Sequence, residues 1–146
     1  MSSDLHLTTS VDIEIPFHDC DPMNVVWHGN YPRYFEVARC QLLRLFNYDY
    51  TDMVDSGYLW PIVDMRLKYV SSAKFTQMIT VLATLVEYEH RIKMNYVITD
   101  KKTGVKLTKG YTIQVAVAID SNELQLESPA ILLEKLQPCL AALRDD

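Results

Sequence analysis

Residues 17–39 include the side chains of this sequence that are best suited to chemistry. They read FHDCDPMNVVWHGNYPRYFEVAR, so an acidic loop comes directly before a pattern that predicts a helix beginning at Asn30. A carboxylate beside the positive end of a helix macrodipole can attack a carbonyl carbon, while free backbone N–H groups hold the resulting oxyanion. The acidic loop and the backbone from His28 to Asn30 therefore indicate a site for acyl chemistry.

Two aspartates, Asp19 and Asp21, compete for the catalytic role in this loop. A loop aspartate is more often a turn-former or a helix cap than a catalyst, and the residues alone do not decide between the two. Cys20 lies between them, and nothing nearby in the sequence would lower its pKa, whereas the two flanking carboxylates would raise it. We therefore expect that Cys20 is not a nucleophile.

The length and composition fit a single domain over residues 1–146. The hydrophobic content of 49% is enough for a core, and a monomer of this size leaves little surface for an enclosed site, which favours an oligomer. The net charge is -5, from 14 Lys and Arg against 19 Asp and Glu, and no basic stripe is visible along the chain. We therefore expect no nucleic-acid partner.

The sequence carries no signal for export or for a membrane. No apolar run approaches the roughly 20 residues that cross a bilayer, and residues 1–10 lack the basic and apolar segments of a signal peptide. We therefore expect a cytoplasmic protein. The cysteines, Cys20, Cys40 and Cys139, are odd in number and contain no CxxC pair, which predicts reduced thiols and no metal site.

Hydrophobic periodicity predicts five strands and two helices. A period of two predicts a strand over residues 11–17, and a period of 3.6 predicts a long helix from Asn30, which is a good N-cap residue. Further strands are predicted at 59–69, 76–88, 92–99 and 105–119, and a terminal helix over 128–136, which Pro138 would end or kink.

These elements predict an α+β fold. Serial strands with short connections favour an antiparallel sheet of five strands. Such a sheet is expected to wrap around the long helix, because each has one apolar face to bury. A short C-terminal helix would complete the domain.

The chain resembles the hotdog-fold acyl-CoA thioesterases of the 4-hydroxybenzoyl-CoA thioesterase family. The resemblance rests on DCDP at residues 19–22, VVWHGNY at 25–31, RYFEVAR at 33–39 and WPIV at 60–63. With the order of the elements included, it extends over nearly the whole chain. A motif match of this kind predicts both a fold and a reaction.

The resemblance implies a role for individual residues. Asp21 falls on the essential acidic residue of the family, the backbone N–H of His28 falls on the donor that polarises the thioester carbonyl, and Glu36 falls on a substrate-facing carboxylate. Gly29 and Asn30 would complete the donor backbone at the helix start. Asp21 would act either as a nucleophile that forms a mixed anhydride or as a general base that activates water. The implied substrate is an acyl-CoA, and no cofactor is implied.

Further residues are expected to contact the acyl group and the CoA. The basic cluster that holds the CoA phosphates in some relatives is thinned here to His90 and Arg91. Asn24 stands where many relatives have glycine, and asparagine tolerates the positive φ that such a turn requires. The expected contacts are Trp60, Pro61, Ile62 and Met65 for the acyl pocket, and Lys68, Lys74 and Arg91 for the CoA phosphates.

The resemblance also implies an assembly. Members of the family form homodimers whose sheets join edge to edge, with each site shared across the interface, and pairs of dimers often form tetramers. A thioester on an acyl carrier protein is an alternative substrate to an acyl-CoA. The acyl group itself is left open by the sequence.

Simpler roles are open for two of these residues. The His28 imidazole could pack or donate a hydrogen bond at a subunit boundary, apart from any role of its backbone. Glu36 lies three positions from both Arg33 and Arg39, which also fits an ordinary surface ion pair on a helix.

A non-catalytic acyl-CoA-binding module and an enoyl-CoA hydratase or dehydratase are the alternative functions. The binding module would use the same pocket without turnover, since a fold does not dictate a function. The hydratase would use an aspartate and a histidine at short spacing, whereas Asp21 and His28 are seven positions apart. Thioester hydrolysis is the function that we expect.

Overall fold

The computed structural model describes residues 6–145, which form seven strands and three α-helices. The strands are β1 (Leu7–Glu14), β2 (Tyr58–Leu59), β3 (Ile62–Tyr69), β4 (Met78–Glu87), β5 (Ile92–Asp100), β6 (Lys106–Gln114) and β7 (Val117–Ala118). The helices are α1 (Tyr31–Leu45), α2 (Tyr50–Asp55) and α3 (Ala130–Asp145), and 3₁₀ turns at Phe17–Asp19 and His28–Asn30 precede α1.

Five strands form one antiparallel sheet in the order β1-β4-β5-β6-β3, and β2 pairs with β7 in a separate two-stranded ladder. Helix α1 lies across one face of the sheet, against β1 and β4. The predicted α+β fold, with a five-stranded antiparallel sheet against a long helix, is confirmed. No helix in the part of the chain that the structure describes is long and apolar enough to cross a membrane.

The core lies between α1 and the inner face of the sheet. Phe35, Ala38 and Leu42 are fully buried, as expected for residues spaced three and four positions apart on one helix face. The Phe35 ring stacks on the ring of Tyr96 from β5, with centroids 4.4 Å apart and planes 8° from parallel. This stack joins the helix to the middle of the sheet, since β5 is the central strand.

Several boundaries differ from those predicted. The predicted strand 59–69 is divided into β2 and β3 around Pro61, which has no N–H for a ladder, and Pro61 instead accepts a hydrogen bond from the Val115 amide at 3.3 Å. The same hydrogen bond lies where the predicted strand 105–119 divides into β6 and β7. Helix α2 was not predicted, and α3 continues through Pro138 to Asp145.

Truncation of Phe35 provides a test of this core. We expect Phe35→Ala to lower the free energy of unfolding by roughly 3–5 kcal/mol, because it removes a fully buried ring and leaves a cavity against Tyr96. Urea denaturation followed by circular dichroism measures the change. Val37→Ala on the same helix is the control, since Val37 is 49% exposed, and equal effects of the two variants would contradict this account of the core.

Candidate active site

The acidic loop folds back on itself before it enters α1. The amide of Asp21 donates to the carbonyl of Val25 at 2.9 Å, and the amide of Trp27 donates to the carbonyl of Asp19 at 3.0 Å. The amide of Asn24 donates to the Asp21 carbonyl at 2.9 Å, and Asn24 has a φ of 65°, the left-handed conformation that its residue type tolerates. Asp21 therefore lies on a tight turn that returns the chain to the helix start.

Asp19 anchors this loop to the first turns of α1. Its carboxylate is 2% exposed and accepts hydrogen bonds from the Tyr34 hydroxyl at 2.7 Å and from Arg33 Nη1 at 3.1 Å. Its backbone carbonyl accepts a third from Asn30 Nδ2 at 2.8 Å. Burial, and then the hydrogen bond and charge of Asp19, raise the pKa of Tyr34, so this hydroxyl stays protonated and continues to donate.

Asn30 occupies the N-cap position of α1, as predicted, but its side chain does not cap the helix. Its side-chain Nδ2 donates to the backbone carbonyl of Asp19, and its Oδ1 accepts from Arg33 Nη1 at 3.2 Å. The N–H groups of the first helical turn are therefore left without a side-chain acceptor from the N-cap.

The Asp21 side chain is held at one oxygen. Oδ1 accepts a hydrogen bond from the Met23 amide at 2.9 Å, and among the described residues Oδ2 accepts none. Burial raises the pKa of Tyr31, and the charge of Asp21 adds a smaller effect in the same direction. An oriented carboxylate with a free oxygen is the form of aspartate that can serve as a nucleophile or a base.

The amides of His28 and Gly29 lie at the start of the helix. Within residues 6–145, neither N–H donates to a protein acceptor. A Cβ at Gly29 would lie 2.1 Å from the Trp27 ring, so alanine fits here only if Trp27 moves. The carbonyl of His28 accepts from the Tyr69 hydroxyl at 3.0 Å, which ties this turn to the end of β3. These are two free, positioned donors of the kind that hold an oxyanion.

A cavity of about 200 Å³ opens beside these donors. The His28 ring forms part of its wall and lies 6.4 Å from the Tyr69 ring, centroid to centroid. The lining residues are Val26, His28, Tyr31, Tyr69, Val70, Ser71 and Ser72. The Tyr31 ring also borders this cavity, and its hydroxyl accepts from the Ala73 amide at 3.1 Å.

The thiol beside this cavity is not activated. Desolvation, followed by the charges of Asp19 and Asp21, raises the pKa of Cys20. The expectation that the flanking aspartates disfavour a Cys20 thiolate is therefore confirmed. Among residues 6–145, no group of three or more His, Cys, Asp or Glu is placed to hold a metal ion.

The model of the thioesterase-like superfamily matches residues 15–136 of this chain. The chain belongs to this superfamily. The match includes the acidic loop, α1 and the whole of the sheet from β3 to β6. The resemblance stated from the motifs is therefore confirmed, and the enzyme class is that of a thioester hydrolase.

Similar proteins of known name include thioesterases with the hotdog fold. A Synechocystis protein assigned provisionally as an esterase is 26% identical over 85% of this chain and 75% of its own length. The structure of a DHNA-CoA thioesterase from Staphylococcus aureus is 25% identical, with a TM-score of 0.75 over 94% of this chain and 89% of that one. A 4-hydroxybenzoyl CoA thioesterase with asparagine in place of an aspartate, complexed with 4-hydroxybenzoyl CoA, is 21% identical, with a TM-score of 0.76 over 88% and 98% of the two chains.

The other residues expected to bind substrate in this thioesterase-like chain are spread over the fold. Glu36 is exposed, with Oε1 3.7 Å from Arg39 Nη2, and lines a separate pocket with Asp19 and Arg33. Lys74 is exposed and lies beside the acidic loop, where its backbone pairs with Val25. These expected contacts stay predictions.

Trp60, Pro61, Ile62 and Arg91 lie at the opposite end of the sheet. At this end, the register pairs Ile62 with Gln114 and Gln114 with Ile92, which follows Arg91. At the other end, β1 leads into the acidic loop beside the first residue of β4 and the last residue of β5. Trp60 is 5% exposed, and its indole donates to the Tyr48 hydroxyl at 3.2 Å. Pro61 is exposed, Ile62 is half-buried, and Arg91 Nε is 3.1 Å from Glu87 Oε1.

Neutralising Asp19 tests its anchoring role. We expect Asp19→Asn to lower the free energy of unfolding by roughly 1–3 kcal/mol, because Tyr34 and Arg33 lose a buried charged acceptor. Urea denaturation measures the change, with Asp120→Asn at an exposed turn as the matched control. A loss no greater than that of the control would show that the Asp19 charge does not hold the loop.

Proposed function

We propose that this protein hydrolyses acyl-CoA thioesters, with Asp21 as the reacting carboxylate and the His28 and Gly29 amides as the oxyanion hole. The observation that carries the proposal is an Asp21 carboxylate engaged at one oxygen, on a turn that returns directly to a helix start where two N–H groups are unengaged beside a cavity. A carboxylate and two positioned donors are what acyl transfer requires.

The reaction begins with attack on the thioester carbon. If Asp21 Oδ2 attacks directly, the carbonyl oxygen becomes an oxyanion held by the two amides, and its collapse breaks the C–S bond and releases the CoA thiolate, which takes a proton from water. The mixed anhydride on Asp21 is then cleaved by water to give the free acid. If Asp21 acts as a base, it removes a proton from a water molecule that attacks the same carbon. Collapse of the oxyanion then breaks the C–S bond, and Asp21 returns the proton to the departing CoA thiolate.

The comparisons support a CoA thioester as the substrate class. Two similar structures are CoA thioesterases by name, and one of them was obtained with its CoA thioester on a variant in which asparagine replaces an aspartate. That combination is consistent with a reaction that requires a carboxylate. An acyl carrier protein thioester presents the same reacting carbon, so it belongs to the same proposal.

We propose further that the active enzyme is a dimer joined edge to edge through β3. This strand is at one edge of the sheet, and it exposes 56% of Val63, 39% of Met65 and 50% of Tyr69. An apolar edge strand with an unpaired row of backbone groups favours pairing with a second copy. A two-fold axis would make that pairing antiparallel.

The dimer would complete the site. Antiparallel pairing through β3 brings the Ile62 end of one copy beside the Tyr69 end of the other. Trp60, Pro61, Ile62 and Arg91, which lie far from the acidic loop in one chain, would then approach the cavity beside His28 from the second chain. This arrangement accounts for expected substrate contacts at both ends of the sheet.

Replacing Asp21 provides the direct test of catalysis. We expect Asp21→Asn to lower kcat by roughly 10²–10⁴-fold while substrate binding is retained, because the variant keeps the size of the side chain but loses the base or nucleophile. Release of free thiol from aromatic, short-chain and long-chain acyl-CoAs measures it, and Asp120→Asn is the control. Full activity of Asp21→Asn would overturn the assignment. Binding without turnover by the native chain on every thioester would instead favour a binding module.

A charge at the exposed edge tests the dimer. We expect Val63→Glu to convert dimers into monomers and to lower kcat/KM by about tenfold or more, because edge pairing would remove an unpaired carboxylate from water and the site would lose its second half. Sedimentation velocity measures the assembly. Val54→Glu, exposed to a similar degree on α2, is the control, and an active monomer of Val63→Glu would contradict a shared site.

A further inference from the structure

A concave groove of about 380 Å³ lies on the face of the sheet that α1 does not cover. A Cβ at Gly110 would lie 3.0 Å from the Phe35 ring, so Gly110 faces α1, and its neighbours Lys109 and Tyr111 face away. The side chains that line the groove are Arg66 and Lys68 of β3, Asn95 and Val97 of β5, and Lys109 and Tyr111 of β6. The reaction proposed above leaves this groove unused.

The groove concentrates positive charge in an acidic protein. The whole chain has a net charge of -5, yet Lys68 is directly opposite Lys109 in the β3–β6 register, with Arg66 two positions along the same face. Among the described residues, none of these three forms an ion pair. Like charges directly opposite one another destabilise a sheet, so an anion bound between them would relieve the repulsion.

The remaining groups of the groove suit a nucleotide. The ammonium of Lys93 lies 4.6 Å from the centroid of the Tyr111 ring, so another cation adjoins the groove. The same ring offers a surface on which a nucleobase can stack. Asn95 supplies an amide donor and acceptor. The carboxylate of Asp64 marks one boundary, where it accepts from the Tyr111 hydroxyl at 3.3 Å. Three clustered cations with an aromatic ring and an amide fit a phosphorylated nucleoside.

We infer that this groove binds the phosphorylated adenosine diphosphate end of the CoA thioester, an inference that rests on the proposed function. The groove adjoins the candidate site through β3. Lys68 precedes Tyr69, whose hydroxyl donates to the His28 carbonyl and whose ring lines the cavity beside the free amides. The pantetheine arm, a long flexible chain, would pass round the end of β3 at Val70 and Ser71.

This site differs from the set of phosphate contacts that the sequence indicates. Lys68 belongs to the groove, whereas Lys74 pairs with the acidic loop and Arg91 is engaged by Glu87. The groove adds Arg66 and Lys109, which no motif singles out. The binding surface would therefore depend on the side chains of β3 and β6 that share the outer face.

Lys109→Gln separates binding from structure. We expect this variant to raise KM for an acyl-CoA about tenfold, the loss typical of one charge-assisted contact, and to leave kcat unchanged. Its KM for the N-acetylcysteamine thioester of the same acyl group, which lacks the nucleotide, should stay at the native value. Lys102→Gln, in the exposed turn before β6, is the control and should change neither KM. A rise in KM for both substrates, or for neither, would overturn the inference.

We expect Lys109→Gln to weaken ligand binding but to raise the thermal stability of the protein without ligand. Because Lys109→Gln removes the repulsion from Lys68, its Tm without ligand should rise above that of the native chain, and the difference should shrink in high salt. A residue with a merely structural role would lower Tm when replaced. A lower Tm at low salt would contradict the like-charge argument.

A direct measurement of nucleotide binding tests the groove without relying on thioester hydrolysis. Adenosine 3′,5′-bisphosphate should bind the native chain in calorimetry and bind Lys109→Gln about tenfold more weakly, even if no thioester is cleaved. Equal affinity for both proteins would refute the groove, whereas failure of hydrolysis alone would refute only the proposed function. If added ADP changed kcat for the N-acetylcysteamine thioester, the groove would serve a free nucleotide, and the assignment to the substrate would be wrong.

Discussion

The buried carboxylate of Asp19 is the interaction on which the candidate site depends. It accepts from Tyr34 and Arg33 on α1, and its backbone accepts from Asn30 and from the Trp27 amide. These hydrogen bonds hold the loop against the helix on both sides of the turn that carries Asp21, so they restrict the position of that turn relative to the helix start. They also occupy the Asn30 side chain, which leaves the first helical N–H groups available. A buried charge thus positions the loop on which the proposed site depends.

The sheet sets the distance between the parts of the site. Its antiparallel register puts the acidic loop and the Tyr69 end of β3 on one side, and Trp60, Ile62 and Arg91 on the other. One chain therefore holds the carboxylate and the donors that we propose for the reaction, but not all of the expected substrate contacts. Because β3 is an edge strand with exposed apolar side chains, the same geometry that separates the two groups in one copy can join them between two copies.

The side chains of β3 are also central to the groove that we infer binds an anionic ligand. The outward side chains of this strand add to those of β6 and β5, so cations that are scattered along the sequence meet on one face. Only the register shows that Lys68 and Lys109 are opposed. Because successive side chains of a strand point to opposite faces of the sheet, Tyr69 contacts the helix start while Lys68 faces the groove.

The sequence by itself determined the main elements and the enzyme class, since both depend on local patterns. The apolar period of α1 predicts its buried face, and the motif around Asp21 and His28 predicts a thioesterase, as the superfamily match confirms. Tertiary structure alone decided that Asp19 is the buried anchor, that Asn30 serves the loop, that Trp60 lies in the core, and that the basic residues converge. These outcomes depend on contacts between residues distant in sequence and on the register of the strands, which no local period specifies.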